Sequence, residues 1–125
     1  MVRAASIDLG SNSTRMLIAD ITNGTLTTIY KEHQVTRMAD KLSETKIISK
    51  EATKRVLKVL AGYFKAINKN NIENIQIVGT AALRDAKNSQ EIIQLIEKKF
   101  GFEVDIVSGE EAVSYTHLTL PTTLQ

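Results

Sequence analysis

The stretch RAASIDLGSNS, residues 3–13, decides the fold. Residues 3–9 are short and mostly apolar, which predicts a β-strand, and the turn-forming string Gly-Ser-Asn-Ser at residues 10–13 ends it. A second apolar run over residues 16–21 predicts another strand immediately afterwards. A small polar loop therefore joins two predicted strands close to the beginning of the chain.

The next residues extend this pattern into a meander. Asn23-Gly24 is the dipeptide most typical of a tight hairpin, because both residues tolerate positive φ. A third strand, rich in Thr and Ile, is predicted from Thr25 through Tyr30. Residues 33–48 are polar and have no clean period, which indicates a crossover with at most a short helical turn.

The second half of the chain alternates helices and strands. Ser49 can cap a helix whose apolar residues form one stripe, and Asn88 with Glu91 resembles a capping box that starts a second helix ended by Gly101. Strands are predicted at Ile75–Gly79, between these helices, and at Val104–Val107, after the second. The apolar stripe of the first helix is Ala52, Val56, Val59, Leu60, Tyr63, Phe64 and Ile67.

The predicted order is β-β-β-α-β-α-β, which describes an α/β fold with a mixed five-stranded sheet covered by helices. In such sheets ligands bind where strands end and loops begin. The loops to search are therefore those after residue 9, after residue 79 and after residue 107.

Composition narrows the function classes. The 125 residues suit one domain, and the net charge of +2 is scattered along the chain, so neither dedicated DNA binding nor another nucleic-acid role is indicated. The absence of Cys excludes disulfides and cysteine nucleophiles, and no apolar run is long enough to cross a membrane. We expect a soluble domain with a cytoplasmic location and no membrane partner.

Residues 113–125 differ from the body of the chain. They contain the only Pro and no Lys, Arg, Asp or Glu. This string resembles a translated adaptor or vector scar, which predicts a domain over residues 1–112 and a non-native tail over 113–125. A native terminal strand or a disordered tail is the alternative.

The first chemical string runs from Asp8 to Arg15. Gly10 allows a ligand to approach the backbone, Ser11, Asn12 and Ser13 add donors, and successive N–H groups in such a turn can bind an anion. Asp8 could hold a hard cation such as Mg²⁺, and Arg15 could add a fixed positive fork. The string also fits an ordinary hairpin turn with an Asp before it.

Two further strings follow later strands. The Thr80 hydroxyl can donate a hydrogen bond, and Arg84 can bind phosphate oxygens. Arg84 could equally be a solvated surface charge. Glu110 and Glu111 could accept a proton from an attacking water, although paired Glu residues are also favourable at the start of a helix. Convergence of the three strings on one side of the sheet would favour the functional interpretation.

Together these strings resemble the exopolyphosphatase and guanosine pentaphosphate phosphohydrolase (Ppx/GppA) family, a branch of the actin-like ATPase superfamily with a ribonuclease-H-like core. The matching segments are residues 7–15, 79–88 and 106–112, and residues 36–40 resemble the family's Thr-Arg-Leu-Gly-Glu stretch. The resemblance covers residues 1 to about 112. It implies the N-terminal lobe of that fold.

The resemblance also implies removal of the terminal phosphate from polyphosphate or guanosine pentaphosphate, with Mg²⁺ and an attacking water. Asp8 would take the metal, residues 10–13 would form the first phosphate loop, and Arg15 and Arg84 would lie against the phosphates. A Glu of the Ser-Gly-Glu-Glu string would be the general base, and a full-length parent would be a homodimer. As in phosphoryl transfer generally, positioning and charge stabilisation would do most of the catalysis.

This chain departs from the family pattern in two ways. The usual Ser-Gly-x-Glu-Glu-Ala string is one residue shorter here, so Glu111 is the base if counted back from Ala112, and the base is lost if counted forward from Ser108. The family's Asp-x-Gly-Gly-Gly-Ser motif and second lobe are absent, which predicts that this polypeptide alone is inactive. The alternatives are an ATP-dependent small-molecule kinase of the same superfamily and a non-catalytic alarmone-binding module.

Overall fold

The computed structural model describes residues 1–107. Five strands and four helices follow one another along this part of the chain. In order they are β1 Val2–Leu9, β2 Ser13–Thr22, β3 Thr25–Val35, α1 Leu42–Thr45, α2 Lys50–Lys69, β4 Asn74–Gly79, α3 Ala81–Asp85, α4 Ser89–Phe100 and β5 Val104–Ile106.

The five strands form one mixed sheet in the order β3-β2-β1-β4-β5. The β1–β2 and β2–β3 pairs are antiparallel, whereas β4 is parallel to both β1 and β5. The α/β class, the opening meander and the five strands predicted from the sequence are therefore confirmed. Parallel β1, β4 and β5 all end at the same edge of the sheet.

Local signals at three predicted turns and caps are also confirmed. Asn23 and Gly24 both have positive φ, at 50° and 79°, as the tight hairpin requires. The Ser49 side chain caps α2 by accepting a hydrogen bond from Ala52 N–H. Gly101 ends α4 with φ 81° in the left-handed region.

Helix α4 begins where expected, but the predicted capping box is wrong. The Asn88 side chain makes no capping bond to the helix. Its amide instead accepts from Ile48 N–H at 2.8 Å and donates to Ile48 O at 2.9 Å. The local sequence pattern assigned the Asn88 side chain to the helix, but in the folded chain this side chain bonds to Ile48, a residue 40 positions away.

The structure has two short helices besides the two long ones that the sequence predicts. Helix α1 is the short helical turn expected in the crossover, and α3 was not predicted as a separate element. Five residues are too few for apolar periodicity to reveal a helix.

The main core lies between one face of the sheet and the long helices α2 and α4. Buried side chains of β1, β2 and β4, such as Ile7, Met16 and Ile77, meet the apolar stripes of both helices. Phe64 of α2 stacks on Phe100 at a centroid distance of 4.8 Å. No helix within residues 1–107 is long and apolar enough to cross a membrane.

Candidate functional site

The loops after β1 and β4 and the end of β5 meet at one edge of the sheet. Leu9 pairs with Gly79, and Gly79 pairs with Ile106. Beyond these pairs, Thr80 N–H donates to Leu9 O at 3.3 Å and Val107 N–H donates to Gly79 O at 2.9 Å. The ends of the three strands are thus hydrogen-bonded in a row.

A cavity of about 360 Å³ opens at this edge. The structure places there all eight side chains and loop residues that the sequence assigned to phosphate or metal binding, together with one residue that the sequence did not indicate, Ala81 at the start of α3. The lining residues are Asp8, Gly10, Ser11, Asn12, Ser13, Arg15, Thr80, Ala81 and Arg84. A larger neighbouring cavity of about 560 Å³ shares Asp8 and Arg15 and is otherwise lined by Ser6 of β1 and by residues of β2 and β3.

The loop between β1 and β2 is tight because its two ends are hydrogen-bonded. Gly10 N–H donates to Ser13 O at 3.0 Å, and a Cβ on Gly10 would stand 2.9 Å from that same oxygen. Real Cβ atoms do not approach a backbone oxygen this closely, so only glycine fits without opening the turn.

The outward carbonyls of this loop are held by the crossover that follows β3. Ser11 O accepts from Ala39 N–H, and Asn12 O accepts from both Thr36 N–H and Arg37 N–H, all at 3.0 Å. In a trans peptide the C=O and N–H bonds point in opposite directions. The N–H groups of Asn12 and Ser13, which share peptide bonds with these two carbonyls, therefore point away from the crossover. Because the loop lines the cavity, N–H groups in this orientation suit the binding of an anion.

Asp8 is the one carboxylate in the cavity lining. Its Oδ1 atom is buried and has no hydrogen-bond partner among residues 1–107. Burial raises the pKa of the Asp8 carboxyl, and the charge of Arg15, its cross-strand partner, opposes that rise. A buried carboxylate oxygen without a partner is an available ligand for a cation or for water.

The residues present fit a magnesium ion bound mainly through substrate and water. Mg²⁺ is usually held by one or two carboxylates, several waters and substrate phosphates, not by a cage of protein ligands. The described part of the chain contains no cluster of three metal-ligating side chains, and Asp8 with its orphaned Oδ1 supplies a single carboxylate. One carboxylate beside a loop whose amides face the cavity matches that requirement.

Arg84 projects from α3 and joins two loops. Its Nη1 donates to Val107 O at 3.2 Å, and its Nε lies 3.6 Å from an Asp85 carboxylate oxygen. The side chain remains 45% exposed, so its remaining donors are accessible. The predicted catalytic residues Glu110 and Glu111 lie outside the described residues, three and four positions after Val107.

Gly79 allows α3 to begin immediately after β4. A Cβ at this position would stand 2.5 Å from Cδ1 and 3.2 Å from Cβ of Leu83, which is fully buried. The missing side chain lets Leu83 pack against the end of β4. Through this packing, Thr80 and Arg84 are carried to the cavity on a fixed turn of helix.

This chain is similar in sequence to members of one known family. The model of the Ppx/GppA phosphatase family matches residues 17–124. The guanosine-5'-triphosphate,3'-diphosphate pyrophosphatase of Vibrio cholerae is 38% identical over 107 residues, which are 86% of this chain and 22% of that protein. The bifunctional 3-dehydroquinate synthase/phosphatase of Fusobacterium nucleatum is 34% identical over 114 residues, covering 86% of this chain and 17% of that protein. This chain spans a third or less of the curated relatives it matches.

Solved structures show the same fold. The Ppx/GppA family member of Aquifex aeolicus superposes with a TM-score of 0.83 at 33% identity, covering 88% of this chain and 36% of that one. An exopolyphosphatase from Cytophaga hutchinsonii gives 0.81 at 27% identity, covering 86% and 35%. The fold is thus the predicted ribonuclease-H-like, actin-type lobe. With the family model matching most of its length, the chain belongs to the Ppx/GppA phosphatase family.

Proposed function

We propose that this chain forms one wall of the active site of a hydrolase that removes the terminal phosphate from inorganic polyphosphate or guanosine pentaphosphate. One observation carries the proposal: Asp8, the loop of residues 10–13, Arg15 and Arg84 line a single cavity. Such a set combines backbone donors, two guanidinium groups and a carboxylate, which suits a phosphate chain. The named activity of the Vibrio cholerae relative, on a guanosine polyphosphate, supports the same substrate class.

Each part of the wall has a physical task. The amides of the loop bind phosphate oxygens, and Arg15 and Arg84 offset the negative charge that develops during transfer. Asp8 would hold Mg²⁺, which when bound neutralises phosphate charge. Glu111, or Glu110 beside it, would accept the proton of the attacking water. Val107, whose carbonyl accepts a hydrogen bond from Arg84, precedes Glu110 and Glu111 by three and four positions in the sequence.

Turnover is expected only when a second wall is present. A charge-assisted hydrogen bond contributes roughly 1.5–3 kcal/mol, so a phosphate held by half its donors is bound weakly. We therefore predict that the 125-residue chain binds phosphate chains without hydrolysing them. Hydrolysis is expected in the protein extended to the length of its relatives.

The decisive experiment measures orthophosphate release by that extended protein from polyphosphate and from guanosine pentaphosphate. Arg84→Gln should lower kcat/KM by roughly 10- to 100-fold, the equivalent of one lost charge-assisted bond. Lys87→Gln is the matched control, because it removes the same charge from an exposed residue outside the cavity lining. Equal turnover of Arg84→Gln and the unmodified protein would refute the assignment.

Two further results would replace the proposal. If the extended protein transferred phosphate from ATP to an acceptor, it would be a kinase. If the extended protein bound nucleotide without releasing phosphate, it would be a binding module. Glu111→Gln should abolish turnover, and full activity of that variant would exclude Glu111 as the base.

Several parts of the proposal remain predictions. They are the Mg²⁺ requirement, the homodimer of a full-length parent, the cytoplasmic location and the domain boundary at residue 112. The family match continues to residue 124, past that boundary.

A further inference from the structure

Arg55, near the start of α2, binds the crossover that follows β3. Its Nε donates to Thr36 O at 2.7 Å and its Nη2 donates to Arg37 O at 3.2 Å. The only acidic contact recorded for it within residues 1–107 is long, with Nη2 4.0 Å from Asp40 Oδ2. The guanidinium fork is thus used mainly to hold two successive backbone carbonyls.

The same two crossover residues hold the loop that lines the cavity. Thr36 N–H and Arg37 N–H both donate to Asn12 O at 3.0 Å. Thr36 and Arg37 therefore each accept from the Arg55 guanidinium through the carbonyl and donate to the cavity loop through the N–H group. Arg37 does this with φ at 50°, in the left-handed region that disfavours a side chain, so the surrounding bonds maintain its conformation.

A second, buried connection fixes the crossover against the sheet. The hydroxyls of Thr14 and Thr36 lie 2.9 Å apart, and both residues are fully buried. Tyr63 of α2 donates from its hydroxyl to Thr14 O at 2.6 Å. The crossover is consequently fixed between α2 and β2, so a change at Arg55 would be transmitted to the loop and not absorbed by free movement of the crossover.

We propose that Arg55 is a positioning residue for phosphate binding. Its fork fixes the peptides of Thr36 and Arg37, these fix the Asn12 carbonyl, and that carbonyl sets the direction of the Ser13 amide in the cavity loop. Arg55 itself is absent from the cavity lining. The inference rests on the proposed phosphate-binding function of the loop. Its structural half, that Arg55 sets the conformation of the loop, can be tested separately from phosphate binding.

The test uses the 125-residue chain and inorganic tripolyphosphate. Three variants are compared with the unmodified chain: Arg55→Gln removes the fork, Arg55→Lys keeps the charge without the fork, and Lys58→Gln removes a charge from an exposed position one turn along α2. Amide NMR spectra report the loop, a tripolyphosphate titration gives the dissociation constant, and urea denaturation gives the folded fraction used to correct it.

Arg55→Gln should move the amide signals of Ser11, Asn12 and Ser13 and weaken tripolyphosphate binding about tenfold. That value is the low end of the roughly 10–100-fold effect of groups that orient metal ligands. Arg55→Lys should weaken binding to an intermediate extent, because a single ammonium cannot hold both carbonyls with a fork. Lys58→Gln should bind as the unmodified chain does.

The possible failures are distinguishable. If the unmodified chain does not bind tripolyphosphate, the proposed function fails, while shifted loop amides in Arg55→Gln would still support the structural half. If the unmodified chain binds and Arg55→Gln binds equally well, the positioning role is refuted. If Lys58→Gln weakens binding as much as Arg55→Gln and Arg55→Lys binds normally, the effect is general charge and the inference is also overturned.

Discussion

Replacing Asp8 with Asn should stabilise the protein at neutral pH while removing its response to magnesium. The Asp8 carboxyl contributes a buried Oδ1 atom without a hydrogen-bond partner within residues 1–107. Its ionised form is therefore disfavoured in the folded state, and the asparagine side chain has nearly the same shape without the charge. The substitution removes the desolvation cost and leaves the packing unchanged.

The sign of the pH dependence follows from the direction of the pKa shift. Burial raises the pKa of the Asp8 carboxyl above its ordinary value, so the folded state binds the proton more tightly than the unfolded state does. The free energy of unfolding should fall as pH rises from about 3.9, the ordinary value, through the raised folded pKa, and then level off. Asp8→Asn lacks this decrease, so its stability advantage over the unmodified chain should be greater at neutral pH than in acid.

The magnitude follows from the environment of the carboxylate. A buried polar group without a partner costs about 1–3 kcal/mol, and more when charged. Asp8 is only half-buried and Arg15 offsets part of its charge, so we expect the low end, about 1 kcal/mol. For a chain of this size that gain raises Tm by roughly 3–5 °C.

The assay is urea denaturation of the 125-residue chain between pH 3.5 and pH 8 with divalent cations removed. Asp105→Asn on β5 serves as the control, because Asp105 is exposed and should change little. Added Mg²⁺ at ten times its dissociation constant should stabilise the unmodified chain by about 1.4 kcal/mol and leave Asp8→Asn unaffected. An Asp8→Asn variant that is less stable than the unmodified chain at pH 7, without cations, would refute this reasoning.

Three other substitutions test the packing, each by urea denaturation. Gly79→Ala should cost about 1–3 kcal/mol, because its Cβ would overlap the buried Leu83 side chain; a neutral result would show that α3 shifts freely. Asn88→Ala should cost a similar amount, about 1–3 kcal/mol, since it leaves the N–H and C=O of buried Ile48 unpaired; an unchanged midpoint would contradict that pairing. Phe64→Ala should lower the free energy of unfolding by about 3–5 kcal/mol, because it leaves a void between α2 and α4. A decrease below about 1 kcal/mol would mean that neighbouring side chains move in to fill the void.

Much of the fold is predictable because its signals are local. Residues 3–9 and 16–21 form strands because apolar residues flank a turn string, and Asn23-Gly24 requires the positive φ values that the structure has. The end of β3 was less predictable. It extends to Val35, five residues past the predicted end, because pairing with Ser13 and its neighbours in β2 continues the strand beyond its apolar residues.

The candidate site was predictable as a set of loops, but the contacts that hold those loops were not. The positions of Asp8 and Arg84 follow from strands that end at one edge of the sheet. Arg55 gave no such signal, because on a helix rich in Lys it resembles any exposed basic residue. Its partners, Thr36 and Arg37, are 19 and 18 positions away, and only the folded chain brings them together.

The central position of β1 in the sheet has a consequence for how the molecule opens. The strand is hydrogen-bonded on both sides, to β2 and to β4, so its backbone amides can exchange with deuterium only when much of the sheet separates. Asp8 belongs to this strand, and the loop that we propose to bind phosphate leaves directly from its end. Ligand-contacting groups of many proteins belong to regions that fray early, whereas the phosphate-binding groups proposed here are attached to the strand whose amides are expected to exchange last.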